Sequence, residues 1–246
     1  MGADPILLMT LSSRLAWIFD VDGTLLLTEG ASRQAFSLAV GDRLGVEDDL
    51  RDIAFAGRTE PLILADILAQ HGVRFDLEDE ARFWDRVFIR MREELRPGRG
   101  RVLAGVPALL DALDAEPGWA TGLLTGNMTQ VARIKLGHYG LWGRFGFGAF
   151  GEMAADRDAL ARDLAARLQR ERGIPPERCI VVGDTEHDIA CARAAGMRVI
   201  AVATGVRPRE VLAEHAPDLL LDTLSATPEL IEWGRGVERD PVEDAT

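Results

Sequence analysis

Leu15-Ala-Trp-Ile-Phe-Asp-Val-Asp-Gly-Thr24 is the stretch from which the fold follows. Five apolar residues, Leu15–Phe19, run without interruption into Asp20. A run of this kind reads as a strand buried on both faces. Asp20 and Asp22 stand two apart, so extended backbone past the strand end would point both carboxylates the same way. Like charges that close are costly unless a cation or a shared proton relieves them. A hard divalent cation with oxygen ligands is the usual relief, and Mg²⁺ is the default. Gly23 allows a sharp turn and Thr24 offers a hydroxyl. The plainer alternative is a solvated turn after a strand.

Outward from this stretch the same grammar repeats. Trp119–Leu124 ends in Thr125-Gly126-Asn127, Phe145–Phe150 in Gly151, and Cys179–Val182 in Gly183-Asp184. Met197–Ala203 ends in Thr204-Gly205 and Leu219–Leu221 in Asp222. Helical patterns lie between them at 106–115, 129–139, 159–171, 188–195 and 208–215. Alternating strands and helices mean βαβ units, hence an α/β fold with a Rossmann-like parallel sheet. Ligands of such sheets sit beyond the carboxyl ends of the strands, where Asp20, Thr125 and Asp184 fall. The alternation fails between Leu27 and Gly100, where only helical patterns occur, at 32–44, 60–70 and 77–95. This predicts an inserted all-helical cap over residues 28–100, returning through the Pro/Gly linker 96–101. Residues 1–27 and 101–235 form the core, and 236–246 read as a disordered acidic tail.

Composition narrows the function. The chain has 246 residues, with 40 Asp and Glu against 28 Lys and Arg, for a net charge of −12. Such an anion is a poor partner for nucleic acid or an anionic membrane surface. The N-terminal apolar run at 5–11 is too short to span a membrane and lacks the flanks of a secretion signal. Cys179 and Cys191 form no metal-binding spacing and read as buried thiols, suiting a cytoplasmic protein. Lys135 is the single lysine, so any chemistry that needs an amine has one candidate.

Two further elements share the sheet edge with Asp20 and Asp22. Asp184 follows an apolar strand and opens a helix, and Asp188, four residues on, can support it; capping of that helix is the competing role. Thr125-Gly126-Asn127 offers a hydroxyl and free amides at a helix start, the makings of an anion site, with an ordinary cap as the alternative. Three strand ends thus bring together two acidic clusters and one cradle of phosphate type.

In this order, DxDGT, hhTGN and GDxxxD resemble the motifs of the haloacid dehalogenase-like superfamily of Mg²⁺-dependent aspartyl phosphotransferases, over nearly the whole chain. The helical insertion resembles the cap of phosphoglycolate phosphatase-like members. The resemblance implies that Asp20 takes the phosphoryl group and that Asp22 protonates the leaving oxygen, then deprotonates water. It implies that Asp20, Asp184 and the Asp22 carbonyl hold Mg²⁺ with support from Asp188. Thr125, with Gly23, Thr24, Gly126 and Asn127, would bind the phosphoryl group.

The chain departs from this pattern at the third motif, usually a lysine. Arg157 stands near that place and is the expected cation; Lys135 is the rival, read as a solvated residue too far along its helix. The cap holds no lysine for Schiff-base chemistry, and Asp22 argues against dehalogenation. A phosphatase for a small phosphorylated metabolite is therefore expected, acting as monomer or homodimer. A phosphomutase or a catalytically weakened phosphometabolite-binding protein are the alternatives. Arg58, in the turn before the second cap helix, is expected to meet a second anionic group of the substrate.

Overall fold

The computed structural model describes residues 14–240. In chain order the elements are β1 (Leu15–Phe19), β2 (Leu26–Leu27), α1 (Ala31–Leu44), α2 (Glu60–His71), α3 (Leu77–Glu94), β3 (Arg101–Val102) and α4 (Val106–Asp114). There follow β4 (Trp119–Leu124), α5 (Thr129–His138), β5 (Phe147–Ala149), α6 (Arg157–Arg172), β6 (Cys179–Gly183), α7 (Glu186–Ala194), β7 (Arg198–Val202), α8 (Arg209–Glu214), β8 (Leu219–Leu221) and α9 (Thr227–Arg239).

Six of these strands form one parallel sheet in the order β5-β4-β1-β6-β7-β8. β1 lies inside it between β4 and β6, and all five of its residues are fully buried. The period of two in a strand sends Leu15, Trp17 and Phe19 to one face and Ala16 and Ile18 to the other. On the first face they join Leu109 and Leu110 of α4, Leu136 of α5 and Leu230 of α9. On the second they join Leu160 and Leu164 of α6, Ile189 of α7 and Leu212 of α8. Each fully buried Leu, Ile or Phe contributes about 1.5–3 kcal/mol, so a two-faced core holds the strand ends rigidly in place.

Helices α1–α3 gather around a third apolar cluster that includes Phe36, Ile67, Phe83 and Met91, joined by Val131 of α5. The chain leaves for these helices through β2 and returns through β3, and the two pair as a short antiparallel ribbon. This ribbon was not anticipated: two residues per strand carry no readable period, and Arg101 belongs to it rather than to the Pro/Gly linker. The Tyr139 hydroxyl donates to the Arg99 carbonyl at 2.8 Å and ties the linker to the core.

The expected tail is corrected at its start. α9 continues to Arg239 because Leu230, Ile231 and Val237 bury against the first face. Residues 241–246, and the apolar run at 5–11, lie outside the described residues. Cys179 and Cys191 are buried free thiols, both pushed up to about 12 by burial. Among the described residues, no helix is long and apolar enough to cross a membrane.

Candidate active site

The carboxyl ends of β1, β4 and β6 open onto one cavity of about 340 Å³. Its floor holds Asp20, directly after β1, and Asp184, directly after β6. One oxygen each of Asp20, Asp184 and Asp188 lie within 4.8 Å of one another, and all three residues are buried. Arg157 reaches this group from the first turn of α6. That helix begins two residues earlier than expected because the Asp156 side chain caps it, accepting from the Ala159 N–H at 2.8 Å. The guanidinium then pairs with Asp188 and donates to Asp20 at 3.4 Å. Burial works against its charge, but Asp188 and Asp20 outweigh that and hold its pKa above the ordinary value.

One arginine does not neutralise three carboxylates. Burial, against the pull of Arg157, pushes Asp20 up to about 7. Asp184 is raised well above the carboxylate range by burial and by its neighbours Asp188 and Asp20. The Thr24 hydroxyl donates to Asp184 at 3.3 Å. The backbone closes tightly around the same carboxylate. A Cβ built on Gly23, whose φ is +86°, would lie 2.3 Å from Asp184 Oδ2, and one on Gly205 would lie 1.7 Å from it. Buried, under-neutralised oxygen donors in a backbone cradle fit a hard cation. Asp20, Asp184 and Asp188 are the residues that could hold one. Asp188 stands behind the other two: its Oδ2 accepts from the Thr185 N–H at 3.0 Å and hydroxyl at 2.6 Å, and its other oxygen takes Arg157. Its bonds are spent on holding Arg157 and capping α7.

Asp22 lines the same cavity but is not one of the three clustered carboxylates. Its Oδ2 accepts from Lys135 Nζ at 2.7 Å and from Asn127 Nδ2 at 2.8 Å. The expectation of a solvated Lys135 is therefore corrected: the residue is 1% exposed. Its position carried the signal. On α5 it lies four residues after Val131 and one before Leu136, within the stripe that the helix buries. Asn127 also departs from the expected phosphate contact. Its Nδ2 donates to Thr125 Oγ1 at 2.8 Å and its Oδ1 accepts from Lys135 at 2.5 Å, so both ends of the amide serve the protein. Thr24 is likewise turned to Asp184 rather than to the cavity. Thr125, Gly126 and Gly23 do line the cavity.

On the opposite wall stand residues of the helical layer. Arg58 lines the cavity, with its guanidinium paired to Asp66 of α2 at 2.9 Å. Glu60, unremarked in the sequence, is buried at the start of α2; its carboxylate accepts from the Met128 N–H and its own N–H donates to the Gly126 carbonyl, both at 2.8 Å. Burial pushes it up to about 8, against the pull of Lys135. Glu186 and His187 take no part in the acidic cluster: Glu186 pairs with Arg207 at 2.6 Å.

Comparison with known proteins places this geometry. A HAD-hydrolase-like family model matches residues 157–227, the stretch from Arg157 through Asp184 and Asp188. The chain is 30% identical to the probable phosphatase IndB of Dickeya dadantii, over 85% of this chain and 89% of the relative. It is 31% identical to a phosphoglycolate phosphatase of Cereibacter sphaeroides, over 81% of this chain and 87% of the relative. Among solved structures, one of a predicted phosphoglycolate phosphatase from Haemophilus somnus superposes with a TM-score of 0.70 at 20% identity, covering 91% and 99% of the two chains.

Proposed function

The chain belongs to the haloacid dehalogenase-like hydrolases, and from that premise we propose that it hydrolyses a small phosphomonoester through an aspartyl-phosphate at Asp20. The observation that carries this reading is the set of buried groups at one sheet edge. A carboxylate at the end of β1 sits beside a second carboxylate and a fixed guanidinium, in a cavity that Thr125 and Gly126 also line. Phosphoryl transfer asks for in-line positioning and charge neutralisation above all.

In the first step an oxygen of Asp20 attacks phosphorus, the bond to the ester oxygen breaks, and Asp22 gives its proton to that leaving oxygen. Arg157 holds Asp20 in place and favours its ionised form. The Thr125 hydroxyl and the Gly126 amide steady the phosphoryl oxygens. In the second step Asp22 takes a proton from water, whose oxygen attacks phosphorus and releases phosphate and the free Asp20 carboxylate. Mg²⁺ is the proposed cofactor, held by Asp20, Asp184 and the Asp22 carbonyl. It would neutralise charge on the phosphoryl oxygens and the nucleophile.

Helices α1–α3, within residues 28–100, act in this reading as a cap that closes the cavity against water. A cavity of about 340 Å³ suits a small metabolite, and phosphoglycolate, named for the Cereibacter sphaeroides relative, heads the candidates. The weakened-site alternative loses its ground, since Arg157 stands at the nucleophile. The test is turnover of p-nitrophenyl phosphate with Mg²⁺. Asp20→Asn should lower it to background while the protein stays folded; undiminished turnover would refute the nucleophile.

A further inference from the structure

Lys135 has no part in the steps just described, yet it is the most buried cation near the site. Placing an ammonium out of water costs several kcal/mol unless its bonds are well made. A methionine or leucine would continue the buried stripe of α5 at lower cost. The lysine instead spends its charge on two acceptors, Asp22 Oδ2 at 2.7 Å and Asn127 Oδ1 at 2.5 Å.

Those two bonds fix more than the lysine. An ammonium can only donate, so it selects the carbonyl end of Asn127 and turns the NH₂ end toward Asp22 and Thr125. Both bonds to Asp22 then fall on Oδ2. The Asp22 side chain keeps 39% of its surface and lines the cavity. A short carboxylate at a cavity mouth would otherwise sample several rotamers. Here one oxygen is anchored from behind and the other remains for the reaction.

The anchor is also tied to the helical layer. Glu60 accepts from the Met128 N–H, next to Asn127, and its N–H meets the Gly126 carbonyl. A Cβ on Gly126 would lie 2.1 Å from the Arg58 carbonyl oxygen, so the layer is seated directly on the loop that carries Asn127.

We propose that Lys135 is a positioning residue for Asp22: through its bonds to Asp22 and Asn127 it holds the acid so that the free oxygen meets the leaving group. The inference rests on the acid role of Asp22 given above. It requires that Lys135 matter most where the leaving oxygen most needs a proton.

The test compares kcat/KM for p-nitrophenyl phosphate, phenyl phosphate and an alkyl phosphate in the full-length protein with Mg²⁺. This quantity reports the first phosphoryl transfer and is blind to the later hydrolysis of the intermediate. Removing a general acid costs about 10²–10⁴-fold for a poor leaving group and far less for a good one. Asp22→Asn should therefore steepen the dependence on leaving group. Lys135→Met should steepen it in the same sense, by at least about 10-fold between the extreme esters. The double variant should be no worse than Asp22→Asn alone, because Lys135 acts through Asp22.

A uniform loss across the three esters in Lys135→Met, with Asp22→Asn steepened, overturns the positioning role and leaves the acid intact. Losses that multiply in the double variant overturn it too. If Asp22→Asn itself shows no steepening, the acid assignment fails and this inference falls with it. Should Lys135→Met not fold, Lys135→Gln, which keeps a hydrogen-bond donor, must show the same steepening in weaker form; a flat profile there overturns the proposal.

Discussion

Buried carboxylates make the protein's stability depend on pH at identifiable residues. Glu60 has an ordinary pKa of 4.5 and is pushed up to about 8 in the folded chain by burial. A carboxyl group with a raised folded pKa stabilises below its unfolded value, and that stability is lost as pH rises through the folded value. Between about pH 4.5 and 8 Glu60 therefore lowers stability, by at most about 1.4 kcal/mol per pH unit. Asp20, raised to about 7, acts in the same direction. Urea unfolding of the metal-free protein should show stability falling across this window, and Glu60→Gln should flatten the fall. Parallel curves for the two proteins would mean that Glu60 is not the group responsible.

At the scale of elements, the loop between β4 and α5 does two jobs. It carries Thr125 and Asn127 into the site, and it receives the turn before α2. Contact is so close at Gly126 that a methyl group there must displace the Arg58 carbonyl. Gly126→Ala should lower the melting temperature by about 2–12 °C, as overpacking against backbone costs about 1–3 kcal/mol, and cut kcat/KM for p-nitrophenyl phosphate by about 10²-fold, the usual cost of a misplacement near 1 Å. Unchanged kcat/KM would show that the seating has no functional weight.

The same loop shows where sequence stops being informative. β1, β4 and the three motif ends were legible because long apolar runs and paired carboxylates leave strong local patterns. Lys135 reads as solvated because a lone lysine on a helix ordinarily faces water; its place in the buried stripe of α5 points the other way, but its carboxylate partner, Asp22, is 113 positions away and only the fold brings the two together. Glu60 left no local signal: its neighbours, Met128 and Gly126, are 68 and 66 positions away. Arg157 was legible in place, but its reach to Asp20 depended on the Asp156 cap starting α6 two residues early.

On the scale of the whole molecule, a net charge of −12 coexists with two buried cations at the cavity. Arg157 pairs with Asp20 and Lys135 with Asp22, and in the proposed reading a bound divalent ion would add to their charge. In the proposed reading the sheet supplies the nucleophile and the metal ligands, and the helical layer closes the opposite wall. Together they make a pocket in which an aspartate can hold a phosphoryl group. The most direct test is chemical trapping of that state. Turnover of p-nitrophenyl phosphate with Mg²⁺ is quenched in acid, the protein is reduced with borohydride, and peptides are read by mass spectrometry. An aspartyl-phosphate is reduced to homoserine, so homoserine is expected at position 20 under turnover, only aspartate at that position in wild-type controls run without substrate, and no homoserine in Asp20→Asn. Aspartate remaining at position 20 under turnover, or homoserine at another position, would contradict it.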